Sequence, residues 1–114
     1  MATTLQVLPQ AGLQQILSQL SETLGALFGE RLKGLYLFGS YARGDAEPGS
    51  DIDVAVILAG TVEPFIEIER TGDAVAALSL SNDVVLSLMF VSEESFGNKW
   101  TPFLANLRRE ALAL

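Results

Sequence analysis

An α/β fold is the expectation from three features of the chain. Its apolar residues follow two rhythms, recurring at three- and four-residue steps in some stretches and forming short unbroken runs in others. The two kinds of stretch alternate, helix with strand. At 114 residues, 49% of them hydrophobic, there is material for one core and so for one domain over 1–114, a mixed sheet of three strands or slightly more covered by helices.

The first helix is read from Leu13, Ile16, Leu17, Leu20, Leu24, Leu27 and Phe28, with Gln14, Gln15, Ser18, Gln19 and Glu22 between them; Pro9 precedes it and Gly29 ends it. Lys33 to Phe38 is an apolar run closed by Gly39, a buried strand. Ser40 to Gly44 suits a turn and the opening of a short helix, followed by a loop from Asp45 to Ser50 that contains Pro48 and Gly49. The second strand runs from Ile52 to Leu58, and Gly60 ends it. From Pro64 to Leu80 the apolar positions Ile68, Ala74, Val75 and Leu78 fit a helix with proline in its opening turn, weakened locally by Gly72. After Asn82, the stretch Asp83 to Val91 reads as a third strand. Ser92 with Glu93 and Glu94 has the composition of a helix N-terminus, and Thr101 to Leu114 reads as a last helix with Phe103, Leu104, Leu107 and Ala111 on one side. The connection from Ser40 to Ser50 is short for a parallel crossover, which favours a mixed sheet.

Composition excludes several chemistries. Seven basic and fourteen acidic residues give a net charge of −7, the wrong sign for binding a long nucleic-acid backbone. Without cysteine there is no disulfide, thiolate ligand or thiol nucleophile, and without histidine there is no imidazole base and none of the common zinc sets. Any metal must be held by oxygen. The stretch MATTLQVLPQAG has neither a basic start nor a long apolar core, and no segment approaches a membrane span of ~20 apolar residues. A soluble cytoplasmic protein without a membrane partner is therefore expected. The mean hydropathy of +0.35 is high for a small domain and points to a surface that a partner covers, either another protein or further copies of the chain.

Polar chemistry concentrates between Leu35 and Leu58. Asp51 and Asp53, two residues apart at the mouth of a strand, point to one face, where like charges repel unless a cation or a proton intervenes. With oxygen ligands and phosphate co-ligands, Mg²⁺ or Mn²⁺ suits them; the plainer alternative is a solvated strand mouth. Gly39 and Ser40 follow the preceding strand, where a residue without Cβ and the N–H groups of an opening helix can accept a phosphate, or can form an ordinary cap. Arg43 can meet phosphate or pair with Asp45 or Glu47. Gly39 to Ala46 has the glycine spacing of a P-loop but puts Asp45 where the lysine belongs, and Tyr41 occupies the second glycine position of a dinucleotide motif.

The combination GSYARGDAEPGSDID, Gly-Ser followed by ten residues and Asp-x-Asp, resembles the signature of the nucleotidyltransferase superfamily that includes DNA polymerase beta, and the short chain resembles its minimal nucleotidyltransferase (MNT) branch, which is paired in prokaryotes with HEPN-domain proteins. The resemblance implies a nucleotidyltransferase fold in which Gly39 and Ser40 hold the triphosphate of ATP or another NTP and Asp51 and Asp53 ligate two Mg²⁺ ions. It also implies a third carboxylate on a later strand, for which Asp83, opening DVVLSLMFV, is the candidate, the other reading being an Asp that closes a turn. The implied reaction moves AMP to an acceptor hydroxyl, on a partner such as a HEPN toxin. The alternatives are a module that neutralises a helical partner by contact alone and an adenylyltransferase acting on a small molecule.

Overall fold

The computed structural model describes residues 7–114; what the sequence suggests about the beginning of the chain bears in part on residues 1–6, outside that range. The elements are α1 (Gln10–Phe28), a 3₁₀ turn (Gly29–Arg31), β1 (Leu32–Phe38), α2 (Ser40–Arg43), β2 (Ile52–Leu58), α3 (Pro64–Asn82), β3 (Leu86–Ser92), α4 (Glu93–Asn98), α5 (Pro102–Glu110) and β4 (Leu112–Ala113). The sheet order is β3-β2-β1-β4, with β1 antiparallel to both β2 and β4 and β2 parallel to β3. This is the expected mixed sheet, with one strand added at an edge.

The alternation of strand side chains divides the core in two. Leu35 and Leu37 of β1, Ile52, Val54, Val56 and Leu58 of β2, and Leu86 and Phe90 of β3 face α1, whose Leu13, Ile16, Leu17, Leu20, Leu24 and Phe28 are all buried. On the other face Ala55, Ile57 and Val91 meet Leu104 and Leu107 of α5, and two aromatic pairs, Tyr36 with Phe96 at 5.2 Å and Phe38 with Phe103 at 5.8 Å, cover the rest. β2 is buried on both faces because it is central and helices lie on each side, which is why its sequence reads as an unbroken apolar run.

Three elements differ from expectation. The buried face of α3 carries Glu67 and Thr71 in line with Ala74, Val75 and Leu78, while Ile68 is exposed. The heptad pattern of the later residues, extended backwards, lands on Glu67, and its carboxylate is accepted there because Arg31 lies 3.1 Å and Arg70 3.5 Å away. β3 begins at Leu86 and not at Asp83, since Asp83 takes a left-handed conformation (φ 52°) that terminates α3. The last stretch is not one helix: α5 stops at Glu110, and Leu112–Ala113 pairs with Leu37 and Tyr36. An edge of β1 would otherwise stay open, and apolar residues after a helix end can fill it.

Two helix starts are capped by side chains, Ser92 Oγ accepting from Ser95 N at 3.0 Å and Thr101 Oγ1 from Leu104 N at 3.1 Å. Among the described residues no helix is long and apolar enough to cross a membrane.

Candidate functional site

β1 and β2 are neighbours running in opposite directions, so the end of β1 and the start of β2 lie side by side. The register puts Phe38 opposite Asp53. The eleven-residue separation of Ser40 from Asp51 in sequence thus becomes adjacency in space, closed by a compact connection: α2 ends at Gly44 in the left-handed region (φ 84°), and Ser50 returns the chain by accepting from Glu47 N at 2.9 Å.

Gly39 has φ 74° and precedes α2. Its carbonyl accepts from Ala42 N at 3.1 Å and Arg43 N at 3.0 Å, which closes the first turn of α2 on this glycine. A Cβ at Gly39 would overlap Asp53 Oδ2 and lie 3.0 Å from Asp53 Cγ. The absence of a side chain therefore lets the backbone of the turn and the Asp53 carboxylate share one small volume. Burial pushes the Asp53 carboxyl above its ordinary pKa and the Asp51 charge pushes it further, while Arg43 opposes both. Asp51 is exposed just ahead of the strand, close enough to act on Asp53 through charge.

Arg43, in the last turn of α2, is placed between acids. Its Nε donates to Asp45 Oδ2 at 3.3 Å and its Nη1 to Glu110 Oε2 at 3.5 Å, and these partners raise its pKa. The first partner was among those foreseen, Glu47 was not used, and Glu110 was missed. No local signal marks it, because the spacing predicts a helix that runs on to Leu114 and the contact joins residues sixty-seven positions apart. Tyr41 is a packing residue whose hydroxyl accepts from Leu8 N at 3.3 Å.

The structure thus brings Gly39, Ser40, Arg43, Asp51 and Asp53 together. Asp83 stands apart from that group in kind, exposed at a helix end, where it shares the wall of a cleft with Ser50, Tyr41, Leu80 and Val85. On β3 the residue opposite Asp53 is Ser87, and Val85, whose carbonyl accepts from Ile52 N at 2.9 Å, stands on the same side as Ser87, toward Asp51. Among the described residues no three acidic side chains gather closely enough to hold a metal together.

The chain is similar to known proteins in sequence and in fold. Residues 17–100 match the model of the nucleotidyltransferase domain. A Methanocaldococcus jannaschii protein that carries the name "Putative protein adenylyltransferase" is 32% identical over 103 residues, 89% of this chain and 96% of that one. Among solved structures, a toxin–antitoxin complex with AMP-PNP superposes with a TM-score of 0.61 at 23% identity, covering 84% of this chain and 69% of that one. The complex of a tri-AMPylated Shewanella oneidensis HEPN toxin with its MNT antitoxin gives 0.54 at 21% identity, covering 88% and 69%. At those identities the structural likeness shows the fold.

Proposed function

Since this chain belongs to the nucleotidyltransferase domain family, we propose that it moves AMP from ATP to a hydroxyl on a partner protein, a helical toxin of the HEPN type. The observation that carries the reading is the side-chain-free contact of Gly39 with the Asp53 carboxylate, which makes the phosphate seat and the acidic pair one site.

In this reading the backbone N–H groups at Ser40 and the Ser40 hydroxyl bind phosphate oxygens, and Arg43 adds charge beside them. Asp51 and Asp53 would hold Mg²⁺ or Mn²⁺, and the donor set fits: two close carboxylates, one of them pushed up in pKa by burial and by the charge of the other, with only oxygen on offer. A bound divalent ion would neutralise the triphosphate and ease loss of the acceptor proton. The acceptor oxygen forms a bond to the α-phosphorus, the bond from that phosphorus to the bridging oxygen breaks, and pyrophosphate leaves with that oxygen. The acceptor's proton passes to a site carboxylate or to water. The chain supplies position and charge and forms no covalent intermediate. Two ions would need a further carboxylate, and Asp83 would have to leave its helix-end conformation to serve; parental activity in Asp83→Asn would remove it from the set.

The net charge of −7 favours a protein acceptor over RNA. A cytoplasmic setting belongs to the same proposal. Incubation with MgATP and the helical protein encoded beside it, followed by intact-mass measurement, should give a partner heavier by one or more AMP groups with the parent and an unchanged partner with Asp51→Asn. An unmodified partner in both reactions, or equal modification in both, contradicts the reading.

Exposed apolar side chains favour a second reading, inhibition by contact alone: Phe65 is 87% exposed, Leu80 83% and Trp100 74%. Asp53→Asn separates the two. Loss of the cellular effect with the complex intact supports chemistry, and retention supports contact.

A further inference from the structure

We propose that Glu110 is a positioning residue of the nucleotidyl-transfer site, holding the Arg43 guanidinium at the phosphate seat and so making the C-terminal segment part of that site. The inference rests on the nucleotidyltransferase reading and extends it to a residue outside the motif.

The first support is register. Leu112 pairs with Leu37 in antiparallel sense, and Leu114 N donates to Leu35 O at 2.9 Å, so the chain running backwards from Leu112 passes along the end of β1 toward Gly39. Glu110, the last residue of α5, stands two residues before Leu112 and so at that end of β1. A two-residue strand with both residues exposed adds little to the core, but it fixes where Glu110 lies.

The second support is the way the guanidinium is held. Asp45, two residues away in sequence, takes Nε; Glu110, sixty-seven residues away, takes Nη1. Nη2 has no hydrogen-bond acceptor among the described residues. A planar fork held at two of its edges presents the third in a fixed direction, and a phosphate oxygen is the acceptor that the site is built to receive. Without Glu110 the long side chain regains freedom and must be ordered again when nucleotide binds.

The third support is that this ion pair is poorly placed to serve the fold. Arg43 is 46% and Glu110 30% exposed at their side chains, and Glu110 sits at the unfavourable end of a helix dipole. A pair between half-open side chains contributes little to stability, so its position beside Gly39 and Asp53 is its more consequential property.

MgATP affinity, measured by titration calorimetry on the full chain, tests this together with thermal unfolding. Glu110→Gln should bind about tenfold more weakly than the parent, with a melting temperature shifted by no more than about 2 °C. Glu110→Asp should recover most of the affinity. Arg43→Gln combined with Glu110→Gln should be no weaker than Arg43→Gln alone, because the two residues act as one unit. Parental affinity in Glu110→Gln, additive losses in the double variant, or a loss that follows unfolding would each overturn the role. A parent that binds no MgATP defeats the nucleotidyltransferase reading first and this inference with it; a parent that binds while Glu110→Gln binds equally defeats the inference alone.

Discussion

Gly39 leaves no space for a side chain, on two separate grounds. Its φ of 74° is costly for any other residue, and a Cβ there would meet the Asp53 carboxylate. Gly39→Ala should therefore lower stability by about 1–3 kcal/mol and weaken MgATP binding more than that loss of stability accounts for, measured by urea unfolding and calorimetry. Asp53 presents the opposite case, a native residue that the metal-free fold tolerates at a cost. Its folded-state pKa lies above the ordinary 3.8, so the folded protein binds the proton more tightly than the unfolded chain does. The sign follows: stability contributed by the neutral form is present in acid and is lost as pH rises through the raised value. In EDTA at neutral pH, Asp53→Asn should thus unfold at a higher urea concentration than the parent, and the difference should vanish below the ordinary Asp range. Added Mg²⁺ should stabilise the parent and leave the variant unchanged. A variant that is less stable than the parent at neutral pH without metal contradicts this account.

At the scale of elements, α3 shows how a helix face is chosen by its neighbours. Its apolar positions allow Ile68 to point inward, but Arg31, on the turn leading into β1, donates to the carbonyls of Ala59 and Thr61 and to Glu67, and this fastens Glu67 beneath the helix. Removing the cation leaves Glu67, 2% exposed, with Arg70 as the remaining cation beside it among the described residues. Arg31→Ala should cost about 3 kcal/mol in urea unfolding, and adding Glu67→Gln should restore part of it. Cap residues are more local in effect. Ser92→Ala removes the acceptor for Ser95 N and should cost about 1 kcal/mol by the same measurement, with MgATP binding unchanged because α4 lies at the far end of the sheet from Asp53.

For the molecule as a whole, the sheet order decides what the site contains. Since β3 lies parallel to β2, its residues fall beside those of β2 in a fixed register, and the side chains on the acidic face are Ser87 of β3 and Val85 just before that strand. The site is therefore short of a carboxylate on that side. Val85→Asp should supply one, and Mn²⁺ binding followed by calorimetry should tighten about tenfold, an effect that Val85→Asn should not reproduce. Equal tightening by both variants would show that something other than the added charge is responsible. The same topology leaves large apolar side chains uncovered on α3 and in the connection before α5, among them Phe65, Leu80 and Trp100. A high apolar fraction in a small domain foreshadows such a surface, since there is more apolar material than one core can enclose.

The sequence by itself determined the α/β class, the span of β2, and the first helix with its buried stripe apart from Leu27, which is 41% exposed, and it marked Gly39–Ser40 and Asp51–Asp53 as the two halves of the proposed site. These depend on interactions between residues close in the chain: helical periodicity, strand alternation, glycine's tolerance of positive φ and the repulsion of two neighbouring carboxylates. Only the tertiary structure decided the rest. Whether Ile68 or Glu67 faces inward depended on Arg31; where β3 begins depended on the left-handed turn at Asp83; the edge strand β4 needed β1 beside it; and the Arg43–Glu110 contact joins residues sixty-seven positions apart. Such facts follow from which elements come to lie together, and local spacing does not encode that.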